Sequence, residues 1–228
     1  MVIVSAPVER RYGLGKRLLG LITRPGEVLA DIGAVPDYAG PLTIIVLYVV
    51  LCCVDVWIIL SKFHVTGPYA DVVSAVFTLV LAGVVLAGAL AMPVRWVIKS
   101  LIVWKVCDRG SGWSLKKALS VTGYAYLADL VLYAASLVIT ALLAPTFYFE
   151  TTTVGETLRR FYSEYLPQLK AIFVCGLALK VGALVWKSYL GAVGTYYGTG
   201  GACSERRAFA IFMGLGSITI ILGLINLL

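Results

Sequence analysis

The sequence predicts an all-α integral membrane protein: a bundle of about five transmembrane helices with amphipathic helices at the membrane interface. Hydrophobic residues make up 60% of the 228 residues and charged residues 14%, with a mean hydropathy of +0.93. This balance is too apolar for a soluble domain of the same size. The apolar residues also fall into runs of about 20, the length that an α-helix needs to cross a hydrocarbon core about 30 Å thick.

Five such runs predict five membrane spans, so residues 41–228 are expected to form one transmembrane domain. The predicted spans are Leu42–Leu60, Val72–Met92, Tyr124–Ala144, Leu169–Leu190 and Ala208–Leu228. Pro93 follows the second span and precedes an amphipathic stretch with Arg95 and Lys99, which predicts a kink and an interfacial extension. Residues 194–201 are rich in glycine but lack the Gly-Lys-Ser/Thr ending of a phosphate loop, so a flexible connecting loop is expected there.

The first 40 residues are expected to form a cytosolic segment with two short amphipathic helices. The apolar residues of segment 14–22 stand beside Lys16, Arg17 and Arg24. The first helix is therefore expected in the headgroup layer, with this basic edge toward anionic lipid. Pro25 predicts the start of the second helix. Because no apolar run with a cleavage site occurs here, no removable signal peptide is expected.

The positive charges are divided unevenly between the segments that connect the spans. One alternate set of segments holds 14 Lys and Arg residues and the other holds 4. Cytosolic segments carry the excess of Lys and Arg, so we expect a plasma-membrane protein with a cytosolic amino terminus and an outer carboxyl terminus. This topology also explains the net charge of +7. No nucleic-acid partner is expected, because the Lys and Arg residues form short clusters between apolar runs instead of lining one face.

The residues needed for common enzyme and metal sites are missing from the sequence. The single histidine, His64, lies in a predicted outer loop, and the five cysteines have no zinc spacing. Neither a Gly-x-Ser-x-Gly nor a His-Glu-x-x-His motif is present. We therefore expect no enzymatic activity, no cofactor and no metal. The chain has only one Gln (Gln168) and one Asn (Asn226), and this low usage suggests a thermophilic prokaryote.

Three charged residues stand out within the predicted spans, Asp55, Asp129 and Lys180, because a charge at the bilayer centre costs about 2.5 to 3.5 kcal/mol. Asp129 lies near the cytosolic end of the third span and Lys180 near that end of the antiparallel fourth, so their side chains are expected to pair. The pair is compatible with a structural role or with a relay for protons or ions. The structural role is favoured, because the spans offer few further polar steps.

Basic residues of the cytosolic segments are candidates for docking another membrane protein. Trp113 lies in a Gly-Ser-Gly-Trp-Ser turn, which predicts either an exposed anchor for a partner or an interfacial belt residue. The candidate docking residues are Arg95, Lys99, Arg109, Trp113, Lys116, Lys117, Arg206 and Arg207.

Four segments of the chain resemble motifs of one known family. Leu18–Leu29 places Arg-Pro between two apolar turns, and Asp37–Pro41 runs from an Asp to Gly-Pro. Gly123–Leu127 contains a Gly-Tyr pair near the start of the third span, although Ala128 stands where a proline usually follows. Tyr189–Ala208 is similar to a last cytosolic loop. These segments resemble the Yip family of small polytopic membrane proteins, named for its Rab/Ypt-interacting protein domain.

The resemblance implies a five-helix membrane domain without catalytic residues that organises other proteins. Eukaryotic members bind Rab-type GTPases through a long amino-terminal region, which about 40 residues cannot supply here. Some prokaryotic relatives resemble accessory proteins of ABC-type export systems. The expected function is thus an accessory or scaffold subunit for transport or trafficking, bound to ABC-type transporter subunits or to copies of itself. The alternative is a small transporter or channel with an intramembrane Asp/Lys pathway.

Overall fold

The computed structural model describes residues 12–108, 112–152, 155–156, 159 and 161–225, and helices dominate it, which confirms the all-α prediction. The short helices α1 and α2 come first, and Pro25 is the first residue of α2, as predicted. The helices are α1 (Leu14–Thr23), α2 (Pro25–Ala34), α3 (Ala39–Ser61), α4 (Ala70–Cys107), α5 (Leu115–Ala125), α6 (Leu127–Leu143), α7 (Leu166–Gly198), which follows a π-helical turn at Phe161–Tyr165, and α8 (Glu205–Ile225).

Within the described residues, four helical stretches are long and apolar enough to cross a membrane. They are Ala39–Ser61, Ala70–Cys107, Leu115–Leu143 and Tyr162–Gly198, with mean hydropathies between 1.9 and 2.7. Such helices are typical of a membrane-embedded protein. The fifth predicted span overlaps α8, but its last three residues, 226–228, lie outside the described part of the chain. The fifth crossing therefore stays a prediction.

Two predicted boundaries differ from the helices observed. Helix α4 is 38 residues long and continues through Pro93, so the second span and its predicted extension are one helix. The third apolar stretch begins at Leu115, where the side chain of Ser114 caps α5 by accepting a hydrogen bond from the backbone N–H of Lys117 at 3.3 Å. The sequence prediction began this span at Tyr124, because the polar residues of α5 interrupt the apolar run.

The chain forms two compact units that interleave along the sequence. Unit 1 takes the described residues of Met1–Ile45, Pro93–Asp129 and Ala183–Leu228. Unit 2 takes those of Val46–Met92 and Leu130–Gly182. Helices α3, α4, α6 and α7 each contribute residues to both units. The linear division at residue 40 stays a sequence prediction, since these units do not follow it.

The buried residues lie almost entirely in unit 1. Among the described buried apolar residues, only Ile58, Met92 and Leu130 belong to unit 2, and every described buried polar or charged residue belongs to unit 1. In unit 2, side chains such as Leu79 and Leu142 are 72% and 76% exposed. Unit 1 thus has an interior of its own, whereas the apolar side chains of unit 2 point outward.

A short parallel sheet in unit 2 was not predicted. Strand β1 (Phe63–Thr66) follows α3, strand β2 (Phe147–Glu150) follows α6, and Phe63 pairs with Phe147 in the register. His64 lies in β1, and its ring stacks on Tyr148 with a centroid separation of 5.4 Å. The loops after α3 and α6 therefore lie together within unit 2. Strands of four residues are too short to show a clear alternation in the sequence.

Candidate functional site

A buried arginine forms the centre of a polar network in unit 1. Arg17 on α1 is fully buried, and its Nε donates to Oδ2 of Asp31 on α2 at 2.9 Å. Its Nη2 lies 2.7 Å from the same carboxylate oxygen and donates to the carbonyl of Val35 at 3.1 Å. Its Nη1 pairs with Oδ2 of Asp37, just before α3. One guanidinium therefore binds both carboxylates and holds α1 against the turn that follows α2.

Helix α5 completes this network. The hydroxyl of Tyr124, a fully buried residue, donates to the Asp37 carboxylate at 3.2 Å. The backbone N–H of Asp37 donates to Oγ of Ser120 at 3.2 Å, and that of Gly40 donates to Oδ1 of Asp37 at 3.0 Å. A Cβ on Gly40 would overlap the Tyr124 ring, so this close approach requires glycine. The motif residues near positions 37–40 and 124 thus meet in space.

The charge of Arg17 is stabilised where it lies. Burial lowers the pKa of its guanidinium, but hydrogen bonding to Tyr124 and to Asp31, together with the negative charge of Asp31, raises the pKa above its ordinary value. The arginine therefore stays charged at any physiological pH. The expectation that Arg17 belongs to a lipid-facing basic edge is wrong, although its neighbours Lys16 and Arg24 are exposed. Helical spacing alone did not show that two acidic residues would converge on it.

A second charged cluster in unit 1 corrects the predicted ion pair. The ammonium of Lys187 on α7 donates to both carboxylate oxygens of Asp129 on α6, at 2.7 and 2.9 Å. Lys180 is exposed and belongs to unit 2, so the predicted pairing of Asp129 with Lys180 is wrong. Helix α7 continues to Gly198, beyond the predicted span end at Leu190. Lys187 lies two turns after Lys180 on the same helix and reaches Asp129 in the first turn of α6.

Aromatic contacts extend the Asp129–Lys187 pair. The ammonium nitrogens of Lys187 and Lys99 lie 5.1 and 5.7 Å from the centroid of the Tyr126 ring. Tyr126 itself is buried. The ring of Tyr126, just before α6, attracts both cations and so connects α4 and α7.

Asp55, the third predicted intramembrane charge, belongs to unit 2. Its Oδ2 accepts a hydrogen bond from the hydroxyl of Tyr133 at 2.9 Å, and Tyr133 stacks on Tyr48 with a centroid separation of 4.9 Å. Its other oxygen, Oδ1, is buried and has no hydrogen-bond partner among the described residues. Asp55 and Asp129 therefore belong to separate clusters within separate units.

The candidate docking residues differ in their exposure and in their contacts within unit 1. Arg95, Lys116 and Arg206 are exposed, and Lys116 lies 5.9 Å from the centroid of the Tyr38 ring. Lys117 donates to the carbonyl of Gly198 at 3.3 Å. Arg207 donates to the carbonyl of Val106 at 3.1 Å, Lys99 contacts Tyr126, and Arg109 lies outside the described residues. Three of these bases thus remain at the surface, and three are also used within unit 1.

The prediction that Trp113 is an exposed anchor for a partner is wrong. Trp113 is only 4% exposed, and its ring lies against Gly198 at the end of α7. The predicted flexible loop at residues 194–201 is instead helical up to Gly198. It then turns through Gly200 and Gly201, whose φ angles of 61° and 85° favour glycine. The glycines that suggested flexibility are thus needed for close packing and for the turn.

The two units also differ in net charge. The described residues of unit 1 include 11 Lys and Arg and 6 Asp and Glu residues, whereas those of unit 2 include 4 Lys and Arg and 5 Asp and Glu residues. The described part of unit 1 thus carries a net charge of +5, and that of unit 2 a net charge of −1. The exposed bases of unit 1 are Lys16, Arg24, Arg95, Lys105, Lys116 and Arg206.

The described residues contain no group of three or more His, Cys, Asp or Glu side chains that would hold a metal ion. No family model, no curated protein and no solved structure matches this chain. The resemblance to the Yip family accordingly stays a prediction from the sequence motifs.

Proposed function

We propose that this chain is a non-enzymatic polytopic membrane protein that acts as an accessory or scaffold subunit of a transport or trafficking assembly. It docks through the exposed bases of unit 1 onto an acidic cytosolic surface of another membrane protein. The observation that carries this proposal is the segregation of charge, which is +5 in the described part of unit 1 and −1 in that of unit 2. Complementary charge is a common basis for partner recognition and orientation.

The internal contacts of unit 1 support a rigid docking surface. Arg17 and Lys187 neutralise buried or half-buried carboxylates, so they stabilise the unit and are not free to bind a partner. The side chains of Arg95, Lys116 and Arg206 are exposed, although each lies on a helix that also contains buried residues. A preorganised surface loses little conformational entropy when it binds. Subunits of an ABC-type transporter are the partner favoured by the sequence resemblance.

The proposal includes an orientation, with unit 1 on the cytosolic side. Every segment assigned to the cytosol by the positive-inside rule belongs to unit 1, and the two loops predicted outside pair as β1 and β2 in unit 2. Single cysteines at Thr66, Thr152 and Ser111, each in a chain whose own cysteines are replaced by serine, test this orientation. A membrane-impermeant maleimide should label Thr66→Cys and Thr152→Cys in intact cells, but not Ser111→Cys. The reverse pattern would invert the topology.

Affinity purification from native membranes in mild detergent tests the docking role. A triple reversal, Arg95→Glu, Lys116→Glu and Arg206→Glu, should abolish recovery of the partner, and raised salt should weaken recovery from the unaltered chain. The matched control reverses two exposed bases of unit 2, Arg159→Glu and Lys170→Glu, and should retain the partner. Equal recovery with both variants would contradict docking through unit 1. Recovery of only a second copy of the chain would replace the ABC-type partner by self-association.

The alternative function is a small transporter or channel, and Asp55 is the observation that favours it. Asp55 is a half-buried carboxylate in an apolar helix, and one of its oxygens has no hydrogen-bond partner among the described residues, so it is a candidate for taking up a proton or cation. Purified protein reconstituted in vesicles would then move a solute without any other subunit, and Asp55→Asn would abolish that movement while Asp71→Asn would not. Absence of such movement, together with a charge-dependent partner, supports the accessory role.

A further inference from the structure

Two cysteines that are distant in sequence meet inside unit 1. Cys107 is the last residue of α4, and Cys203 lies in the turn between α7 and α8. Their side chains are 0% and 1% exposed, and their sulfur atoms are 2.7 Å apart. That separation is only about 0.7 Å longer than a disulfide bond. The other three cysteines, Cys52, Cys53 and Cys175, all belong to unit 2.

Contacts other than the thiols hold the two sulfurs together. The guanidinium of Arg207 on α8 donates to the carbonyl of Val106, next to Cys107, at 3.1 Å. The backbone N–H of Cys203 donates to Oγ1 of Thr199 at 3.2 Å, and the same turn has Gly201 at a φ of 85°. Because the backbone on both sides is fixed independently, the pair needs little rearrangement to form a bond.

We propose that Cys107 and Cys203 are a disulfide-forming pair that covalently fastens the end of α4 to the turn between α7 and α8. The reaction is an exchange with a small-molecule disulfide. The Cys203 or Cys107 thiol loses its proton and attacks the oxidant, one oxidant thiol leaves, and the second cysteine displaces the other. The two cysteine sulfurs are oxidised, the oxidant is reduced to two thiols, and no other electron carrier is needed.

The cross-link would act on the surface that carries Arg206 and Arg207. These arginines follow Cys203 by three and four residues, so oxidation fixes their position relative to α4. Intracellular disulfides of this kind are frequent in hyperthermophiles and rare in other cytosolic proteins. The bond formation itself does not depend on the docking function and is tested separately.

The test uses the full chain with Cys52, Cys53 and Cys175 replaced by serine, purified in mild detergent, so that only the proposed pair remains. We expect 4,4′-dipyridyl disulfide to produce, as the predominant product, an intact mass lower by about 2 Da and without a pyridyl adduct. Trypsin should release residues 106–109 joined to residues 188–206, and dithiothreitol should separate them. The oxidised protein should also melt several degrees higher than the reduced protein.

The control adds Cys203→Ser to the same background and should take up one pyridyl adduct on Cys107 with no loss of mass. The unaltered chain should give the same joined peptide, which guards against an effect of the serine replacements. Two pyridyl adducts on Cys107 and Cys203, without the joined peptide, would overturn the proposal. A disulfide that instead involves Cys52, Cys53 or Cys175 in the unaltered chain would overturn it as well.

Discussion

Units 1 and 2 share four helices but differ in how those helices are stabilised. In unit 1, residues such as Arg17, Tyr124 and Val121 are fully buried, and charged groups bind one another inside the protein. In unit 2, valines and leucines along α4 are exposed, and none of its most apolar 18-residue window is buried. A membrane would cover the apolar side chains of unit 2, whereas unit 1 has to bury its own.

This difference shows where the specificity of the structure resides. Lipid solvates any apolar side chain nearly as well as another helix does, so unit 2 tolerates loose packing. A buried charge, by contrast, is stable only with its partners in place. Substitutions in unit 1 should therefore cost more free energy of unfolding than matched substitutions in unit 2. Unfolding by sodium dodecyl sulfate in mixed micelles measures that cost in each case below.

The largest effect is expected for Arg17→Met. This change removes the buried guanidinium that binds the carboxylates of Asp31 and Asp37, and it should lower the free energy of unfolding by about 3 to 5 kcal/mol. The control Lys16→Met removes the neighbouring exposed charge and should change it by about 0.5 kcal/mol or less. Equal, small effects of both changes would mean that the network does not stabilise unit 1.

The next largest difference in the free energy of unfolding is expected between substitutions of the two lysines of α7. Lys187→Met leaves the Asp129 carboxylate without its two hydrogen bonds and should cost about 1.5 to 3 kcal/mol. Lys180→Met removes an exposed charge from unit 2 and should cost nothing or stabilise slightly. Adding Asp129→Asn to Lys187→Met should recover part of the loss, whereas a full sum of the single effects would show that the pair is not coupled.

A smaller difference in the free energy of unfolding is expected between alanine substitutions of two glycines in long helices. Gly40→Ala forces a Cβ into the Tyr124 ring and should cost about 1 to 3 kcal/mol through overpacking. At Gly83 on α4, no described atom beyond the neighbouring residues and the local helix backbone lies within 4 Å of the position that an alanine methyl group would take. Gly83→Ala should therefore be neutral or stabilise by up to about 1 kcal/mol. A neutral Gly40→Ala would contradict the close approach of α3 and α5.

The smallest difference is expected for two valines. Val121 on α5 is fully buried, and Val121→Ala should lower the free energy of unfolding by about 1 to 2 kcal/mol. Val80 on α4 is 58% exposed, and Val80→Ala should change it by about 0.5 kcal/mol or less. Similar losses at both positions would remove the contrast in packing between the two units.

The helices of both units were largely predictable, because runs of about 20 apolar residues and the proline at position 25 carry strong local signals. The described residues of the basic segments all belong to unit 1, whereas the side of the membrane on which they lie stays a prediction. These features depend on composition and near-neighbour spacing. They need no knowledge of which helices touch.

The polar contacts could not be predicted to the residue, because they depend on depth and on neighbours far along the chain. Lys180 and Lys187 lie two turns apart on α7 and both fall inside the predicted span, so the apolar pattern could not show which lysine reaches Asp129. Arg17 has the sequence environment of a surface base, and only the approach of Asp37 and Tyr124 reveals its burial. Trp113 is buried because Gly198 leaves room for its ring, which no local pattern indicates.

The parallel pairing of β1 with β2 determines when this part of the chain can fold during synthesis. Phe63 pairs with Phe147, so β1 emerges long before its partner strand has been synthesised. At about 5 to 20 residues per second, the ribosome needs roughly 4 to 17 s to supply the missing strand. During that interval the backbone groups of β1 must be satisfied by water or by the translocation machinery. Closure of the ladder is therefore a late event that reports the arrival of α6.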